Sequence, residues 1–416
     1  MTGKASEKPP LLFLAHRIPF PPNKGDKIRS FHILKHLSRE FHVFLGTFVD
    51  TKEDLQHLDS VRDFCSEAFF VKRFAQVDKL RPLAGFLNNE PLSLSNYRSS
   101  KLQRWVDKTV ERERIESALA FCSPMFQFIR PQCRAQKSLD KVLVDFVDVD
   151  SEKWRQYAAA NSFLKRFVFA REGKKLLEYE VSTARKATHS FFVSEAETEL
   201  FRERSRCEQP EVSSLPNGVD ADYFRPGLAL ENPYGSEDLP IVFTGAMDYP
   251  PNIDAVVWFT KHVMPSLLAL DDRLRFFIVG GSPAKSVSEL ADCPEICVTG
   301  RVTDVRPYLE HALLAVAPMQ IARGIQNKVL EAMAMKKPTV LSPQALEGIG
   351  AVHGQQILVA DSEAEFVRII SEIKDGAYKD LGESAREYVL ANFDWEARLA
   401  PLDQFFQHPP IPLEDT

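Results

Sequence analysis

A cationic loop follows the first strand that the sequence predicts and leads directly into a helix. Its chemistry-bearing members are Lys24, Gly25, Asp26, Lys27 and Arg29. Glycine allows a ligand to approach the backbone closely, and the free N–H groups at a helix start attract anions. We predict a binding loop for a phosphate group or an acceptor molecule, and the alternative is an ordinary turn with solvated side chains. The loop lacks P-loop spacing and no GxGxxG follows any predicted strand, which disfavours nucleoside triphosphatases and nicotinamide enzymes.

An acidic run, Asp-Phe-Val-Asp-Val-Asp at residues 145–150, lies at the end of another predicted strand. Strand alternation predicts that Asp148 and Asp150 share one face, at the carboxyl end where ligands bind in parallel sheets. Paired carboxylates can orient a substrate hydroxyl or bind a divalent ion. The alternative is that Asp150 or Ser151 caps the following helix. Because no further acidic cluster stands near a phosphate loop, we predict no metal site.

A glycine-containing loop opens a second predicted helix within residues 324–335. A helix start favours phosphate, and Lys328 in the first turn adds a full charge. Glu331, one turn further on, can accept hydrogen bonds from both hydroxyls of a ribose. The alternative is that Glu331 only pairs with Lys328. A carboxylate placed among Val, Leu, Ala and Met needs a partner, because burying an unpaired charge is costly.

Basic and aromatic residues alternate along residues 153–188, where Phe163 and Phe167 are helical neighbours. One interpretation is a basic amphipathic helix that lies on an anionic membrane surface. The other is a helix that packs on its own sheet. The pattern alone leaves both open.

Short apolar runs alternate with longer amphipathic stretches in both halves of the chain, which predicts two parallel α/β sheets. The predicted strands of the first half are 11–15, 41–48, 68–72, 117–121, 142–147 and 190–194, with a helix at 28–38 and a long polar stretch over 80–115. Those of the second half are 241–244, 274–279, 296–299, 313–317, 339–341 and 356–359, with helices at 253–268, 305–311, 327–335 and 364–373. Breaker residues between 216 and 235 predict a linker.

The length of 416 residues predicts about two domains. The net charge of −6 is unevenly distributed, since residues 1–212 carry 36 Lys and Arg against 29 Asp and Glu. The first half is therefore at +7 and the second at −13, which favours an anionic partner for the first half. We see neither a signal peptide nor an apolar run of membrane-spanning length, so a cytoplasmic location is expected. The six scattered cysteines are expected to be reduced thiols.

Several short motifs occur in order along the chain. Besides the loop at Gly25, they are Ser-Glu-Ala-Glu at 194–197, Leu-Pro-Asn-Gly-Val-Asp at 215–220, Phe-Thr-Gly at 243–245, Val-Gly-Gly at 279–281, Thr-Gly-Arg-Val at 299–302 and Leu-Glu-Ala-Met-Ala at 330–334. Together they resemble the family 4 retaining glycosyltransferases of the GT-B fold. The sequences of residues 16–22, 145–150 and 324–328 are similar to those of bacterial sugar transferases associated with exopolysaccharide loci of the PEP-CTERM type.

The resemblance implies an α/β protein with two facing Rossmann-like domains and a cleft between them. Residues 1–212 would bind the acceptor, residues 213–395 would bind the nucleotide-sugar, and the tail 396–416 would pack back on the first domain. It implies transfer of a sugar from a nucleoside diphosphate to a hydroxyl of a glycan or lipid-linked acceptor, with retention of configuration. Nucleic acid is not an expected partner, and no cofactor beyond the donor substrate is expected.

The resemblance also assigns roles to residues. Lys328, Glu331 and Asp148 are the expected catalytic residues, and the expected donor-binding residues are Gly245, Asn252, Arg301, Arg323, Gly324, Gln326, Asn327, Lys328 and Glu331.

Two departures from the family pattern affect this assignment. Arg323 replaces the first glutamate of the usual pair, and the segment 245–252 lacks the usual Arg and Lys. Lys328 and Arg323, with Lys24, Lys27 or Arg29, would then neutralise the negative charge of the donor phosphates. A sugar-nucleotide epimerase or hydrolase is one alternative, and an inactive transferase-like binding protein is another.

Overall fold

A computed structural model describes residues 8–22, 25–73, 88–129, 139–160, 163–205, 211–322 and 325–407. The chain divides into two compact units. Unit 1 comprises residues 1–216 together with 399–416, and unit 2 comprises residues 217–398.

Unit 1 is built on a seven-stranded parallel sheet with the order β3-β2-β1-β4-β5-β6-β7. Its strands are β1 Pro10–Ala15, β2 His42–Val49, β3 Glu67–Lys72, β4 Ser117–Phe121, β5 Lys141–Val147, β6 His189–Phe192 and β7 Val212–Ser214. The helices are α1 Gly25–Glu40, α2 Leu58–Arg62, α3 Leu92–Asn96, α4 Ser100–Glu113, α5 Asp150–Ala160, α6 Phe163–Ala184 and α7 Glu195–Ser205. The predicted strands of this half are confirmed, because strands covered on both faces are continuous apolar runs.

Unit 2 contains a six-stranded parallel sheet with the order β10-β9-β8-β11-β12-β13. Its strands are β8 Leu239–Thr244, β9 Leu274–Val279, β10 Ile296–Gly300, β11 Leu314–Ala317, β12 Thr339–Leu341 and β13 Leu358–Val359. The helices are α8 Pro250–Leu270, α9 Lys285–Ser288, α10 Arg306–His311, α11 Asn327–Ala334, α12 Pro343–Leu346, α13 Glu363–Lys374, α14 Leu381–Asn392 and α15 Trp395–Leu399. All six predicted strands are confirmed.

Helix α8 is long and apolar enough to cross a membrane when it is judged by length and composition alone. Its middle turn, Phe259–Val263, is a π-helix. Val256, Phe259, Val263 and Leu267 are buried in the core of unit 2. The apolar character of α8 therefore serves packing against its own sheet.

The last described helix, α16 Pro401–Gln407, belongs to unit 1. The imidazole Nε2 of His36 on α1 lies 2.9 Å from Oδ1 of Asp403. The rings of Phe41 and Phe406 have centroids 5.1 Å apart. The chain thus returns to unit 1 after it has formed unit 2.

Helix α4 and strand β7 are among the elements of unit 1 for which the sequence predicted no range. Helix α4 lies within the stretch 80–115, where its many charges conceal a strongly amphipathic pattern. The Ser99 hydroxyl caps it by accepting from the N–H of Leu102, and Trp105 stacks on Phe69 at 5.4 Å between ring centroids. Strand β7 has only 3 residues, which is too short to show a periodicity.

Candidate functional site

The loops after four strands of unit 2 bring the predicted donor-binding residues to one edge of the sheet. Gly245 follows β8, Gly280 follows β9, Arg301 follows β10, and Lys328 follows β11. The first two loops touch, since a Cβ atom added at Gly280 would lie 1.6 Å from the carbonyl oxygen of Gly245. Because the carboxyl edge of an open parallel sheet is where such folds bind ligands, this edge is the candidate site of unit 2.

Lys328 lies in the first turn of α11, and two residues from other elements hold its side chain in place. Its Nζ donates to Oδ1 of Asn252 at 2.6 Å and lies 4.8 Å from the ring centroid of Phe243. Asn252, only 4% exposed, donates its amide to the carbonyl of Ala246 at 2.9 Å. Both polar ends of this amide have a partner inside the protein, so Asn252 positions Lys328. Its role in donor binding stays a prediction.

Lys328 and Glu331 carry shifted pKa values. Burial lowers the pKa of Lys328 to about 8, although Glu331 opposes the shift. Burial raises the pKa of Glu331 to about 7, against the effect of Lys328. Within the described part of the chain, the Glu331 carboxylate makes no hydrogen bond or ion pair. A largely buried carboxylate without a partner beside a constrained lysine is the feature that a ligand would complete.

Three of the other predicted donor-binding residues lie in or next to the loops at this edge of the sheet. Arg301 and Asn327 are exposed, and Gln326 precedes α11 and is half-buried. Arg323 and Gly324 lie outside the described residues.

The structure corrects the prediction for the cationic loop of unit 1. Lys27 is only 3% exposed and donates from Nζ to Oδ1 of Asp54 at 2.5 Å. The guanidinium of Arg29 donates to both carboxylate oxygens of Asp145, at 2.7 and 3.1 Å. These two cations neutralise buried carboxylates and do not form an open anion site. Lys24 lies outside the described residues.

The prediction that Asp148 and Asp150 share a strand face is wrong. Strand β5 ends at Val147, whose φ of +69° turns the chain out of the strand direction. Asp150 is the first residue of α5 and accepts from Lys153 Nζ at 3.2 Å. Ser151 does not cap α5 through its own side chain, because Glu180 accepts from both its backbone N–H and its hydroxyl.

Asp148 nevertheless lies at the carboxyl edge of the unit 1 sheet, directly after β5. Burial raises the pKa of this carboxyl, and the nearby Lys153 partly offsets the effect. Its position keeps it available for a substrate hydroxyl, and its role stays a prediction.

A charged network at the same edge was not predicted as a site. The imidazole Nε2 of His16 lies 3.4 Å from Oδ2 of Asp26, and Arg17 contacts the same oxygen. Nε of Arg17 also donates to Asp50 at 3.1 Å, and Nε of Arg73 donates to Asp50 at 3.0 Å. His16, Asp50 and Arg73 each follow directly after a strand end. That placement is the sequence signal that would have found them.

The network shifts the pKa values of its members in opposite directions. Burial alone would lower the pKa of His16, but Cys122 and Asp26 outweigh it and raise this pKa well above its ordinary value. Burial would raise the pKa of Asp26, yet His16 and Arg17 hold it at about 2. The network therefore favours the protonated form of the His16 imidazole.

We expect His16 to make unfolding pH-dependent. A folded-state pKa above the unfolded value near 6.5 stabilises the protein fully below pH 6.5, and this contribution is lost as the pH rises through the folded pKa. Urea unfolding of the wild type and of His16→Gln at pH 6 and pH 9 measures it. The stability difference between the two proteins should shrink at pH 9, by about 1.4 kcal/mol for each unit of pKa shift. A difference that does not change with pH would contradict a raised pKa.

Among the described residues, no group of three or more His, Cys, Asp and Glu side chains has the arrangement of a metal site.

Two α/β units, each built on a parallel sheet, have the architecture of the GT-B fold, and solved structures agree. Anabaena HepE, solved with UDP and glucose, aligns with a TM-score of 0.60 at 13% identity, over 96% of this chain and 99% of its own. Sucrose-phosphate synthase from Thermosynechococcus elongatus gives 0.61 at 16% identity, over 96% and 98%. TarM gives 0.63 at 11% identity, over 97% and 99%.

Residues 239–375 match the family model of the glycosyl transferases group 1. This segment lies entirely within unit 2 and includes Gly245, Lys328 and Glu331. Most of unit 2 is therefore similar to the glycosyl transferases group 1.

One curated relative is described as an uncharacterized 44.6 kDa protein in the cps region of Klebsiella pneumoniae. It is 23% identical over 164 residues, which are 37% of this chain and 42% of the relative. The match thus spans less than half of that protein's length.

Proposed function

We propose that the protein transfers a sugar from a nucleoside diphosphate to an acceptor hydroxyl, with retention of configuration, as family 4 enzymes do. The observation that carries the proposal is the Glu331 carboxylate beside Lys328, which forms no hydrogen bond or ion pair with any described residue. It lies within the segment that matches the glycosyl transferases group 1. A neighbouring fold, HepE, was solved with UDP-glucose. A nucleoside diphosphate offers a diphosphate group to Lys328 and ribose hydroxyls to Glu331.

The donor fits the pair through two contacts. The diphosphate lies at the start of α11, where the free N–H groups and the Lys328 ammonium attract negative charge. The ribose hydroxyls donate to the Glu331 carboxylate. The close approach of the Gly245 and Gly280 loops brings backbone to the same edge, where a side chain on either residue would collide.

The reaction needs no covalent intermediate with the protein. The acceptor oxygen forms a bond to the anomeric carbon while the bond from that carbon to the phosphate oxygen breaks. The acceptor proton passes to the leaving phosphate oxygen on the same face of the sugar. Lys328 and the α11 N–H groups stabilise the growing charge on the diphosphate, which is electrostatic catalysis that proceeds without a metal ion.

Unit 1 holds the acceptor in this proposal. Its carboxyl edge carries Asp148 and the His16 network, which supply a partly desolvated carboxyl and charged donors for a hydroxylated ligand. The relative in a cps region supports an acceptor from cell-surface polysaccharide synthesis, either a glycan or a lipid-linked sugar. We place the protein in the cytoplasm, at the inner face of the membrane.

Donor hydrolysis or epimerisation without an acceptor is the second candidate function. The absence of Arg and Lys from residues 245–252 favours it, because a donor site with fewer cations would give a weak or altered transferase.

Thermal-shift screening of nucleotide-sugars identifies the donor, since a bound ligand raises the melting temperature by mass action. Nucleotide release is then measured with and without membrane lipid extract as the acceptor source. Release that depends on the extract supports transfer, and release that does not supports the second candidate. A folded protein that binds no nucleotide-sugar would contradict both.

The Glu331 assignment predicts a pH optimum for nucleotide binding. Binding requires ionised Glu331, so affinity for UDP should rise as the pH passes about 7. It also requires protonated Lys328, so affinity should fall as the pH passes about 8. Glu331→Gln should abolish the acidic limb and weaken binding roughly ten- to a hundredfold, since a hydrogen bond to a charged group contributes about 1.5–3 kcal/mol.

Isothermal titration calorimetry with UDP at pH 6, 7.5 and 9 measures these changes. Glu347→Gln, at an exposed glutamate of the same unit, is the matched control. Unchanged UDP affinity in a folded Glu331→Gln protein would refute the ribose contact.

A further inference from the structure

The helical hairpin formed by α5 and α6 presents an exposed face that its own packing does not use. Phe167 is 67% exposed, the most exposed of the large hydrophobic side chains in the described part of the chain. Ala170 and Lys174 follow it at helical spacing and are exposed, and Lys165 and Arg166 flank it. We call Lys165, Arg166, Phe167, Ala170 and Lys174 the basic-aromatic face.

The opposite side of the same hairpin is fully engaged. Trp154 on α5 packs against Phe169 on α6 with ring centroids 5.4 Å apart. Glu172 is buried and accepts from the backbone N–H groups of Leu92 and Ser93, at 2.7 and 2.9 Å. A Cβ atom at Gly173 would lie 3.1 Å from the carbonyl of Ser151, so the two helices are in close contact. The hairpin is thus a fixed platform, and its core does not need Phe167.

Charge distinguishes this face from an ordinary solvated helix surface. No aspartate or glutamate occurs from residue 153 to residue 171. Lys165, Arg166 and Lys174 form no ion pair or hydrogen bond with any residue that the structure describes. An uncompensated cluster of cations therefore surrounds an exposed phenyl ring.

We propose that the basic-aromatic face docks unit 1 on an anionic lipid bilayer. The phenyl ring of Phe167 enters the boundary between headgroups and acyl chains, while the three cations contact lipid phosphates. A lipid surface uses both features at once, because it offers apolar depth beneath negative charge. Acidic proteins and nucleic acids would use the cations but leave an isolated helical phenyl ring without a pocket. The proposal does not depend on the sugar-transfer activity.

Sedimentation with sucrose-loaded vesicles tests the docking on the full chain without donor or acceptor. Vesicles of phosphatidylcholine with 30% phosphatidylglycerol should bind the protein at low salt and release it at 0.5 M NaCl, and vesicles of pure phosphatidylcholine should bind at least tenfold less. Lys165→Glu with Arg166→Glu should lower the partition coefficient at least tenfold, since each basic residue near an anionic surface contributes roughly a fivefold factor. Phe167→Ser should lower it about fivefold or more.

Two control variants match these changes. Lys101→Glu with Lys108→Glu makes the same charge change on exposed positions of α4 in the same unit. Leu270→Ser removes an exposed apolar side chain, 56% exposed, from unit 2. Both controls should bind within twofold of the wild type, and circular dichroism establishes that every variant is folded.

Three outcomes would overturn the proposal. The first is that the wild type does not bind the anionic vesicles. The second is that the α4 control loses as much vesicle binding as the variant of the basic-aromatic face. The third is that soluble polyglutamate competes with the vesicles for the protein as well as further vesicles do. The last result would point to an acidic protein partner. Because no substrate is present, failure of the proposed sugar transfer cannot produce any of these results.

Discussion

Replacing Lys328 with alanine is expected to lower the turnover number about a hundred- to a thousandfold, with a smaller rise in the Michaelis constant for the donor. Negative charge on the departing diphosphate grows toward the transition state, so a contact from Lys328 strengthens during the reaction. Asn252 and Phe243 already hold the ammonium in place, so little reorganisation is needed when the donor arrives. Initial rates of nucleotide release at varied donor concentration separate the two constants.

Two further variants make this experiment specific. Lys328→Arg should restore only part of the turnover, because a planar guanidinium does not reproduce a compact charge bonded to Asn252. Lys285→Ala removes a lysine whose side chain is 90% exposed in the same unit, and it should leave both constants unchanged. An effect of Lys328→Ala on the Michaelis constant alone would restrict Lys328 to ground-state binding. Unchanged kinetics would transfer the role to Arg301 or Arg323.

Asp145→Asn is expected to cost about 3–5 kcal/mol of unfolding free energy, the range for breaking a buried ion pair from one side. Asp145 is 0% exposed and Arg29 is 1% exposed, so the substitution leaves a guanidinium in the interior without its countercharge. Asp145 also accepts from the N–H of Val147, which steadies the turn after β5. Urea unfolding followed by circular dichroism measures the loss, and soluble yield reports it if the variant is too unstable.

The double replacement Arg29→Met with Asp145→Leu should recover most of that loss, because apolar side chains of similar size remove both buried charges together. The surface pair between Arg202 and Glu199, with side chains 43% and 59% exposed, supplies the comparison. Glu199→Gln should cost less than about 1 kcal/mol. A cost for Asp145→Asn no larger than this would show that the buried pair does not determine stability.

The sequence was sufficient to predict every strand except β7, because each of the other strands is a continuous apolar run. The predicted site residues were found because their loops follow strands. The sequence was also sufficient to bring Lys328 and Glu331 together, since residues three apart in a helix share a face. Asn252 was predicted as a donor-binding residue from the family resemblance, and that role stays a prediction. Its contact with Lys328 was not predicted, because the two residues are 76 positions apart and no local pattern contains that separation.

The errors in unit 1 have the same origin. Arg29 and Asp145 are 116 positions apart, so their pairing depends on the order of the strands in the sheet and not on either motif. The left-handed turn at Val147 could not be foreseen, because a β-branched residue rarely adopts it. That single dihedral angle separates Asp148 from the strand face that it was expected to share with Asp150.

The return of α16 to unit 1 determines the order in which the protein can be completed on the ribosome. The ring of Phe405 lies 4.2 Å from that of His189, and Phe406 packs against Phe41, so residues near the end of the chain cover surfaces made some 200 and 360 positions earlier. Domains generally fold as they emerge, from the amino terminus onward. Unit 1 therefore leaves the ribosome with these rings uncovered and waits through the whole synthesis of unit 2. Nascent unit 1 therefore completes its packing only after residues 401–407 have been made.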